Sequence, residues 1–290
     1  MRPTAHDFNG QHESDIAWRD TSGNTALWLM NGATVASSAV VANVPTAWSI
    51  VGQRDFDRDG KADLLWYDSG NVAIWLMNGT AVTAAATLGN VGGWTVAGTG
   101  DFNGDGMGDI VWYSGGNVAM WLMNGTQIAS VAVLGNVGTN WSVVGTGDFD
   151  GDGKTDILWR DTAGNLAIWF MNGASVTSVA SLGNVAPAWS VAGTGDFDGD
   201  GRADILWYDS GAVAIWLMNG AAVTANASLG NVAGWTVAQT GDYNGDRRSD
   251  ILWYNGGAVA LWFMDGAAVA STASLGSIPT AWTIQGANAD

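Results

Sequence analysis

The sequence is defined first by what it lacks. It has no cysteine, four prolines, two histidines and 13% charged residues in a chain of 290. Without cysteine there is neither a disulfide framework nor thiol chemistry. His6, His12 and the single glutamate, Glu13, all lie near the N-terminus, and no nucleophile motif is present. We therefore expect a protein that is not an enzyme, although a pair of aspartates cleaving a glycosidic bond remains the less favoured alternative.

The charge balance excludes several partners. The formal net charge is -17, from 27 acidic residues against 10 lysines and arginines. Such a chain repels nucleic acid and anionic membrane, so a cationic partner is needed, and metal ions are the simplest candidate.

Long apolar segments are also missing. The uncharged run from Ser69 to Gly100 is long enough to cross a bilayer. However, it contains Asn78-Gly79, Gly89-Asn90 and Gly92-Gly93, which form turns and break a helix, so we predict two strands with their loops and no membrane insertion. The stretch "MRPTAHDFNG" lacks the apolar core of a signal peptide. An extracellular, secreted protein is nevertheless expected, with export signalled elsewhere or by a leader that has been lost.

The abundant residues are glycine (42) and tryptophan (18), and they occur in a repeat. An acidic motif begins near residues 7, 55, 101, 148, 196 and 242, so six copies fill a single domain, 1–290. A shift of 141 residues also relates Asp7 to Asp148 and Asp101 to Asp242. This longer period indicates duplication of a three-copy block, which would place matching copies on opposite sides of a closed ring.

Each copy predicts four strands. In the fourth copy they run from Trp141 to Gly147, Ile157 to Arg160, Leu166 to Met171 and Ser175 to Leu182. The last two are joined by Asn172-Gly173, the strongest short hairpin signal. The strand "VAIWLM" is apolar on both faces, which a strand between two neighbouring sheets requires. We therefore predict an all-β fold, a six-bladed β-propeller of four-stranded antiparallel blades.

The chain ends predict how the ring closes. The first copy lacks an opening strand, whereas "AWTIQGA", from Ala281 to Ala287, is an opening strand with no copy after it. Pairing this strand with the N-terminal blade would close the ring and hide two sheet edges.

The acidic motif has the pattern of a cation-binding loop. In the fourth copy the side-chain oxygens stand at positions 1, 3, 5 and 9, which are Asp148, Asp150, Asp152 and Asp156, with Gly153 at position 6. Alternating carboxylates with a glycine for the sharp turn are typical of Ca²⁺ ligands, and the carbonyl of position 7 is the expected further ligand. Asp-Gly turn chemistry without metal remains the alternative.

An EF-hand loop would end with an acidic residue at position 12, where this chain has Trp159. The nine-residue loop between two strands instead resembles the FG-GAP/VCBS repeats of integrin α-chain propellers and of a fungal integrin-like lectin. The resemblance covers essentially the whole chain and implies one structural Ca²⁺ per intact loop. The implied ligands of the intact copies are Asp55, Asp57, Asp59 and Asp63; Asp101, Asn103, Asp105 and Asp109; Asp148, Asp150, Asp152 and Asp156; and Asp196, Asp198, Asp200 and Asp204.

The two end copies depart from the pattern. Copy six keeps Asp242, Asn244, Asp246 and Asp250 but has Arg247 where glycine is expected, which predicts a positive φ and a fifth, weaker site. Copy one, from Asp7 to Asp15, has lost a carboxylate and the glycine. Its site is therefore doubtful.

The predicted topology puts the acidic loops and the Asn-Gly turns on one face of the ring. The opposite face would carry the linkers, and by the resemblance ligands bind there. Six tryptophans open the inner strands near that face, and six arginines or tyrosines end the second strands. These candidates, with interior packing and solvated turns as alternatives, are Trp48, Trp94, Trp141, Trp189, Trp235, Trp282, Arg19, Tyr67, Tyr113, Arg160, Tyr208 and Tyr254.

The expected function is therefore a calcium-stabilised, multivalent carbohydrate-binding propeller that takes glycans on the face opposite the calcium loops. The alternative is an adhesion or scaffold module that binds a surface protein.

Overall fold

The computed structural model describes residues 5–286, which form 24 strands in six four-stranded antiparallel sheets arranged as a ring. The predicted six-bladed propeller is confirmed. Blades 1 to 3 contain β1 (Ile16–Asp20), β2 (Asn24–Asn31) and β3 (Thr34–Asn43); β4 (Ser49–Arg54), β5 (Asp63–Asp68), β6 (Asn71–Asn78) and β7 (Ala81–Asn90); and β8 (Thr95–Gly100), β9 (Asp109–Ser114), β10 (Asn117–Asn124) and β11 (Gln127–Asn136).

Blades 4 to 6 repeat this order. They contain β12 (Trp141–Gly147), β13 (Asp156–Asp161), β14 (Asn165–Met171) and β15 (Val176–Asn184); β16 (Ser190–Gly195), β17 (Asp204–Asp209), β18 (Ala212–Asn219) and β19 (Ala222–Asn231); and β20 (Thr236–Gly241), β21 (Asp250–Asn255), β22 (Ala258–Asp265) and β23 (Ala268–Ser277). The last strand, β24 (Trp282–Ile284), belongs to blade 1.

The predicted strands of the fourth copy are close to those observed. The inner strand β12 has the predicted ends, whereas the outer strand β15 reaches Asn184 and not Leu182. The extension passes a bulge between Leu166 and Ala167, which a residue-by-residue pattern does not reveal. The uncharged run from Ser69 to Gly100 forms three strands, β6, β7 and β8, and not the two predicted, because it also includes the inner strand of the next blade. Within residues 5–286 no helix is long and apolar enough to cross a membrane.

Six apolar cores lie between neighbouring blades, and the third strand of each blade contributes side chains to two of them. In β6, Val72 and Ile74 pack in the core shared with blade 3, whereas Trp75 and Met77 pack in the core shared with blade 1. This is the arrangement that the two apolar faces of "VAIWLM" predicted, because successive side chains of a strand point to opposite faces. Position 2 of every acidic loop adds a fully buried ring, which is phenylalanine in blades 1 to 5 and Tyr243 in blade 6.

The last strand closes the ring. β24 pairs with β1 in antiparallel register, with Trp18 opposite Ile284 and Asp20 opposite Trp282. On the loop face a further ring of hydrogen bonds runs through all six blades, because the N–H at position 8 of each acidic loop donates to the carbonyl at position 1 of the preceding loop at 2.6–2.7 Å. Its closing member runs from Ser14 to Asp242. Ala287, the end of the predicted closing strand, lies outside the described residues.

The two faces have the predicted composition. The N–H of Gly79 in the Asn-Gly turn of blade 2 donates to the carbonyl of Phe8 in the acidic loop of blade 1, so turns and acidic loops share one face. On the other face the N–H of Val91, in the linker after β7, donates to the carbonyl of Gly70 in the turn before β6.

Candidate functional site: the acidic loops and an inter-blade groove

The first and last aspartates of each acidic loop hold the backbone in place. Asp148 accepts hydrogen bonds from the N–H groups of Gly151, Asp152 and Gly153 at 2.7–3.2 Å. Asp156 is buried and accepts from Phe149 at 3.0 Å and, across the blade, from Met171 at 2.9 Å. The same two bonds recur at position 9 of all six loops. The last aspartate therefore ties the loop to the third strand with or without a metal.

Three loops bring carboxylates close enough to share a cation. One oxygen from each residue at positions 1, 3 and 9 lies within 4.8 Å of the others in the loops of blades 2, 4 and 5. Carboxylate oxygens in such a cluster suit a hard divalent cation. The clusters consist of Asp55, Asp57 and Asp63; Asp148, Asp150 and Asp156; and Asp196, Asp198 and Asp204.

The aspartates at position 5 lie outside these clusters. Asp152 pairs with Lys154 at 2.9 Å, and its other oxygen accepts the N–H of the same lysine. Asp59 pairs with Lys61 and Asp200 with Arg202 in the same way. A metal ligand role for position 5, which the sequence predicted, requires these carboxylates to leave their cations, and it stays a prediction.

Burial governs the acidity of the loops. Desolvation raises the pKa of Asp156 to about 7, although hydrogen bonds from Met171 and Phe149 oppose the rise. The equivalent Asp63 reaches about 8 for the same reason. A divalent cation would favour the ionised carboxylates, so its binding would oppose the rise in pKa that desolvation causes.

The loops of blades 3 and 6 have asparagine at position 3. Asn103 donates to Asp105 at 2.9 Å, and Asn244 donates to Asp246 at 3.2 Å. Arg247 has φ +69°, which confirms the predicted positive φ at that position. In blade 1, His12 takes the equivalent conformation at φ +69°, and the Gln11 side chain donates to the carbonyl of Met30.

A second strained position was missed from sequence. Arg58, at position 4 of the blade 2 loop, has φ +64°, whereas the other loops have glycine there. Its side chain lies beside Gly106 of the next loop. In the loops of blades 2, 4, 5 and 6 the cation at position 7 lies beside the position 4 glycine of the preceding loop, as Lys154 does beside Gly104, whereas blade 1 has Glu13 at position 7. The blade 3 loop has the neutral Met107 at position 7, and Arg58 of blade 2 supplies a cation beside it.

On the opposite face, the predicted arginines and tyrosines bind the linkers. Arg160 donates to the carbonyls of Val185 and Ala186 at 3.0 Å and to that of Trp189, and Arg19 makes the equivalent bonds. Tyr208 donates to the carbonyl of Trp235 at 2.7 Å. Tyr67 and Tyr254 likewise reach Trp94 and Trp282, whereas Tyr113 reaches Gly138. These side chains hold each linker against the preceding blade, and their role as ligand contacts stays a prediction.

The three tryptophans of each copy have different surroundings. The second-strand tryptophan is fully buried and the third-strand one is half-buried, and the two rings lie 4.8–5.0 Å apart in every blade. All six linker tryptophans, Trp48, Trp94, Trp141, Trp189, Trp235 and Trp282, are half-buried. Aromatic surface is therefore available on this side of every blade.

Between blades 5 and 6 this surface forms a groove of about 320 Å³. Its base is Trp253, and Trp235 and Trp262 add half-exposed rings. Val232, Ala260, Thr272, Ala273 and Ser274 complete the lining. Of these residues the sequence had indicated only Trp235. The others follow from the register of the hairpin after Asp265-Gly266, which sets Thr272 opposite Trp262.

The architecture is thus a six-bladed propeller with acidic loops on one face and a tryptophan-lined groove between blades 5 and 6. The family model of the FG-GAP-like repeat matches residues 55–112, 101–159, 148–207 and 196–253. These matches span more than half of the chain, so the chain belongs to the FG-GAP-like repeat family. No curated protein matches it.

Solved structures share the fold at low identity. One is the structure of an Agrocybe aegerita lectin, described as recognising non-reducing terminal N-acetylglucosamine. It is 19% identical with a TM-score of 0.65, covering 100% of this chain and 86% of that one. A chain of a nidogen/laminin complex is 16% identical with a TM-score of 0.58, covering 94% and 97%. A Photorhabdus luminescens Tc holotoxin chain is 15% identical with a TM-score of 0.57, covering 100% of this chain and 14% of that one.

Proposed function

We propose that this protein is a calcium-stabilised, multivalent carbohydrate-binding propeller of the lectin type. The observation that carries the proposal is the groove between blades 5 and 6, where Trp235, Trp253 and Trp262 stand beside the hydroxyls of Thr272 and Ser274. Aromatic rings bind the apolar faces of sugar rings, and a few polar groups beside them fix orientation. The Agrocybe aegerita neighbour, described as recognising N-acetylglucosamine, supports this reading through its fold.

Multivalency follows from the repeat. Every blade has the same trio of tryptophans, so several weak sites on one molecule can engage a glycan-coated surface together. The effective concentration of the later binding events then raises the apparent affinity over that of one groove.

Calcium has a structural role in this proposal. The clusters in blades 2, 4 and 5 suit a hard cation, and each joins the first and second strands of a blade. Binding to the folded state alone would stabilise the protein by about 2.7 kcal/mol at a free ion concentration of 100 Kd. The metal would support the blade from the face opposite the glycan.

We also propose that the protein acts outside the cell and has no catalytic activity. Glu13 accepts the N–H of Gly32 at 2.9 Å, and His6 lies 3.1 Å from the side chain of Gln53. Glu13 therefore holds the hairpin turn of blade 1, and His6 contacts the inner strand of blade 2. The twelvefold use of aspartate at loop positions 1 and 9 likewise serves backbone hydrogen bonds.

A glycan array tests the proposal. Labelled protein in millimolar Ca²⁺ should bind a defined set of glycans saturably, and combined Trp235→Ala and Trp262→Ala substitutions should weaken that binding. Asp265→Asn on the acidic-loop face is the matched control and should bind as the parent does. Absence of binding to every glycan would reject the carbohydrate proposal.

A protein-binding scaffold is the second candidate function. It is supported by the outer strand of blade 3, where the side chains of Val131 and Val133 are 62% and 76% exposed. An adhesion surface would use such uncharged apolar patches. If the array is silent, retention of a protein from the same source on immobilised parent but not on Val131→Asp would favour this alternative.

A further inference from the structure

The outer strand of each blade contributes two exposed side chains to the wall of the tryptophan groove. In blade 6 they are Thr272, opposite Trp262, and Ser274, opposite Ala260. Directly opposite residues of an antiparallel pair lie on the same face of the sheet. The same register holds in all six blades, so each blade presents an equivalent pair.

This pair is the variable part of the wall. All six blades share the three tryptophans and an alanine at the position of Ala260, whereas the outer-strand pair changes from blade to blade. In order from blade 1 to blade 6 the pairs are Ser38 and Val40; Ala85 and Thr87; Val131 and Val133; Val179 and Ser181; Asn226 and Ser228; and Thr272 and Ser274.

Only blades 5 and 6 have polar groups at both positions. Within residues 5–286, the Asn226 amide and the Thr272 hydroxyl make no hydrogen bond to the protein, and both side chains are exposed. Ser228 and Ser274 accept the N–H groups of Gly230 and Gly276 at 3.2–3.3 Å, which leaves their hydroxyl hydrogens to donate. The groove at blade 6 and the equivalent surface of blade 5 can therefore hydrogen-bond a ligand that lies on the half-exposed tryptophan.

Blade 3 presents the opposite case. Its pair, Val131 and Val133, offers no hydrogen bond, and the ring of Trp121 lies between apolar neighbours. A sugar hydroxyl placed against these valines would lose its water without gaining a partner, and an unsatisfied polar group of this kind is costly.

We propose that the outer-strand pair determines which grooves take a hydroxylated sugar ring, and that blades 5 and 6 bind it whereas blade 3 does not. This inference rests on the proposed carbohydrate function and makes it specific. The ligand class is an uncharged pyranose with an apolar face for the tryptophan and an equatorial hydroxyl or acetamido group for the outer-strand pair.

The duplication supplies an internal control. Blades 3 and 6 are related by the shift of 141 residues, which converts Val131 into Thr272 and Val133 into Ser274. The same shift preserves the rest of the lining, namely Val91 and Val232, Trp94 and Trp235, Trp112 and Trp253, Ala119 and Ala260, and Trp121 and Trp262. A difference in binding between these two grooves therefore reports chiefly on the pair.

The test uses ¹⁵N-labelled full-length protein, because each of the 18 indole N–H groups gives its own signal. Signals are assigned with single tryptophan-to-phenylalanine variants, and N-acetylglucosamine and methyl glucoside are titrated as probes. We expect saturable shifts at Trp216 and Trp262 and none at Trp121. Thr272→Val with Ser274→Val should weaken binding at Trp262 roughly five- to tenfold, the effect of about one hydrogen bond, and leave Trp216 unchanged.

The reciprocal variant, Val131→Thr with Val133→Ser, should create a saturable response at Trp121. All four positions are exposed, and circular dichroism checks that the variants fold. An equal response of Trp121 and Trp262 in the parent, or no effect of either double variant, overturns the inference while carbohydrate binding stands. If no indole signal responds to sugar in the parent or in the reciprocal variant, the proposed function fails and this inference fails with it.

Discussion

The methyl group of Thr146 lies 2.7 Å from the point that a β-carbon on Gly98 would occupy, although the two residues belong to different blades. The Thr146 hydroxyl donates to the carbonyl of Thr99 at 2.9 Å. The pattern repeats around the axis, since Thr194 and Thr240 donate to the preceding threonine carbonyl and stand against Gly145 and Gly193. The inner strands can approach this closely only because glycine faces threonine.

Gly98→Ala should therefore destabilise the domain by about 1–3 kcal/mol, the usual cost of overpacking a close contact. The control is the double variant Gly98→Ala with Thr146→Ser, which removes the clashing methyl and retains the hydroxyl. Urea unfolding should show recovery of most of the lost free energy in the double variant. Equal stability of both variants would show that this contact does not limit the approach of the blades.

Truncation before Trp282 should destabilise the whole ring. It removes β24, leaves β1 without its neighbour and takes away the acceptor of the Tyr254 hydroxyl, the Trp282 carbonyl. Losing the burial of a single large apolar side chain already lowers the free energy of unfolding by about 2 kcal/mol. Calorimetry should show a lower midpoint for the entire transition, whereas a chain ending at Gly286 should melt as the parent does. An unchanged midpoint after truncation before Trp282 would contradict closure by this strand.

The fold was largely predictable, because its signals repeat six times. The Asn-Gly turns predicted the hairpins, and the two apolar faces of "VAIWLM" predicted burial on both sides of the blade. The opening strand at Trp282, which has no further copy of the repeat after it, predicted the closure of the ring. The groove was not predictable from the same signals. Thr272 and Ser274 become wall residues only once a bulge between Phe263 and Met264 sets the outer-strand register. Likewise, the pairing of Asp152 with Lys154 depends on rotamers that spacing does not specify.

Protein stripped of divalent cations should lose stability as pH rises. Burial raises the pKa of Asp63 to about 8 from 3.8, and that of Asp156 to about 7. At pH values between the ordinary pKa of 3.8 and these raised values, the folded state binds more protons than the unfolded state. The free energy of unfolding therefore falls with increasing pH. The fall should occur from about pH 4 to pH 8. Urea unfolding across this range checks it, and a stability that rises over the same range would contradict it.

Relief of backbone strain should stabilise the blade 6 loop. Arg247 holds φ +69°, a conformation that costs an L-residue about 1 kcal/mol or more. Arg247→Gly should therefore raise the free energy of unfolding, by somewhat less than that amount because glycine also makes the unfolded chain more flexible. Arg247→Lys is the control that retains both the charge and the β-carbon, and it should leave stability unchanged. Equal effects of the two substitutions would point away from strain.

The loops should differ in calcium affinity because of one side chain at position 3. Blades 2, 4 and 5 have aspartate there and form three-carboxylate clusters, whereas Asn103 in blade 3 and Asn244 in blade 6 are neutral. Under the proposed calcium role, the affinity of hard cations rises with ligand charge. Asn103→Asp should therefore convert a weak site into a strong one, and Asp150→Asn should do the reverse in blade 4. Isothermal titration should show three strong sites in the parent, one fewer than the four expected from the intact motifs because Asn103 is neutral, with four in Asn103→Asp and two in Asp150→Asn. An unchanged number of strong sites in both variants would show that position 3 does not set the affinity, and the ions would then have to be held by the backbone and the buried aspartates.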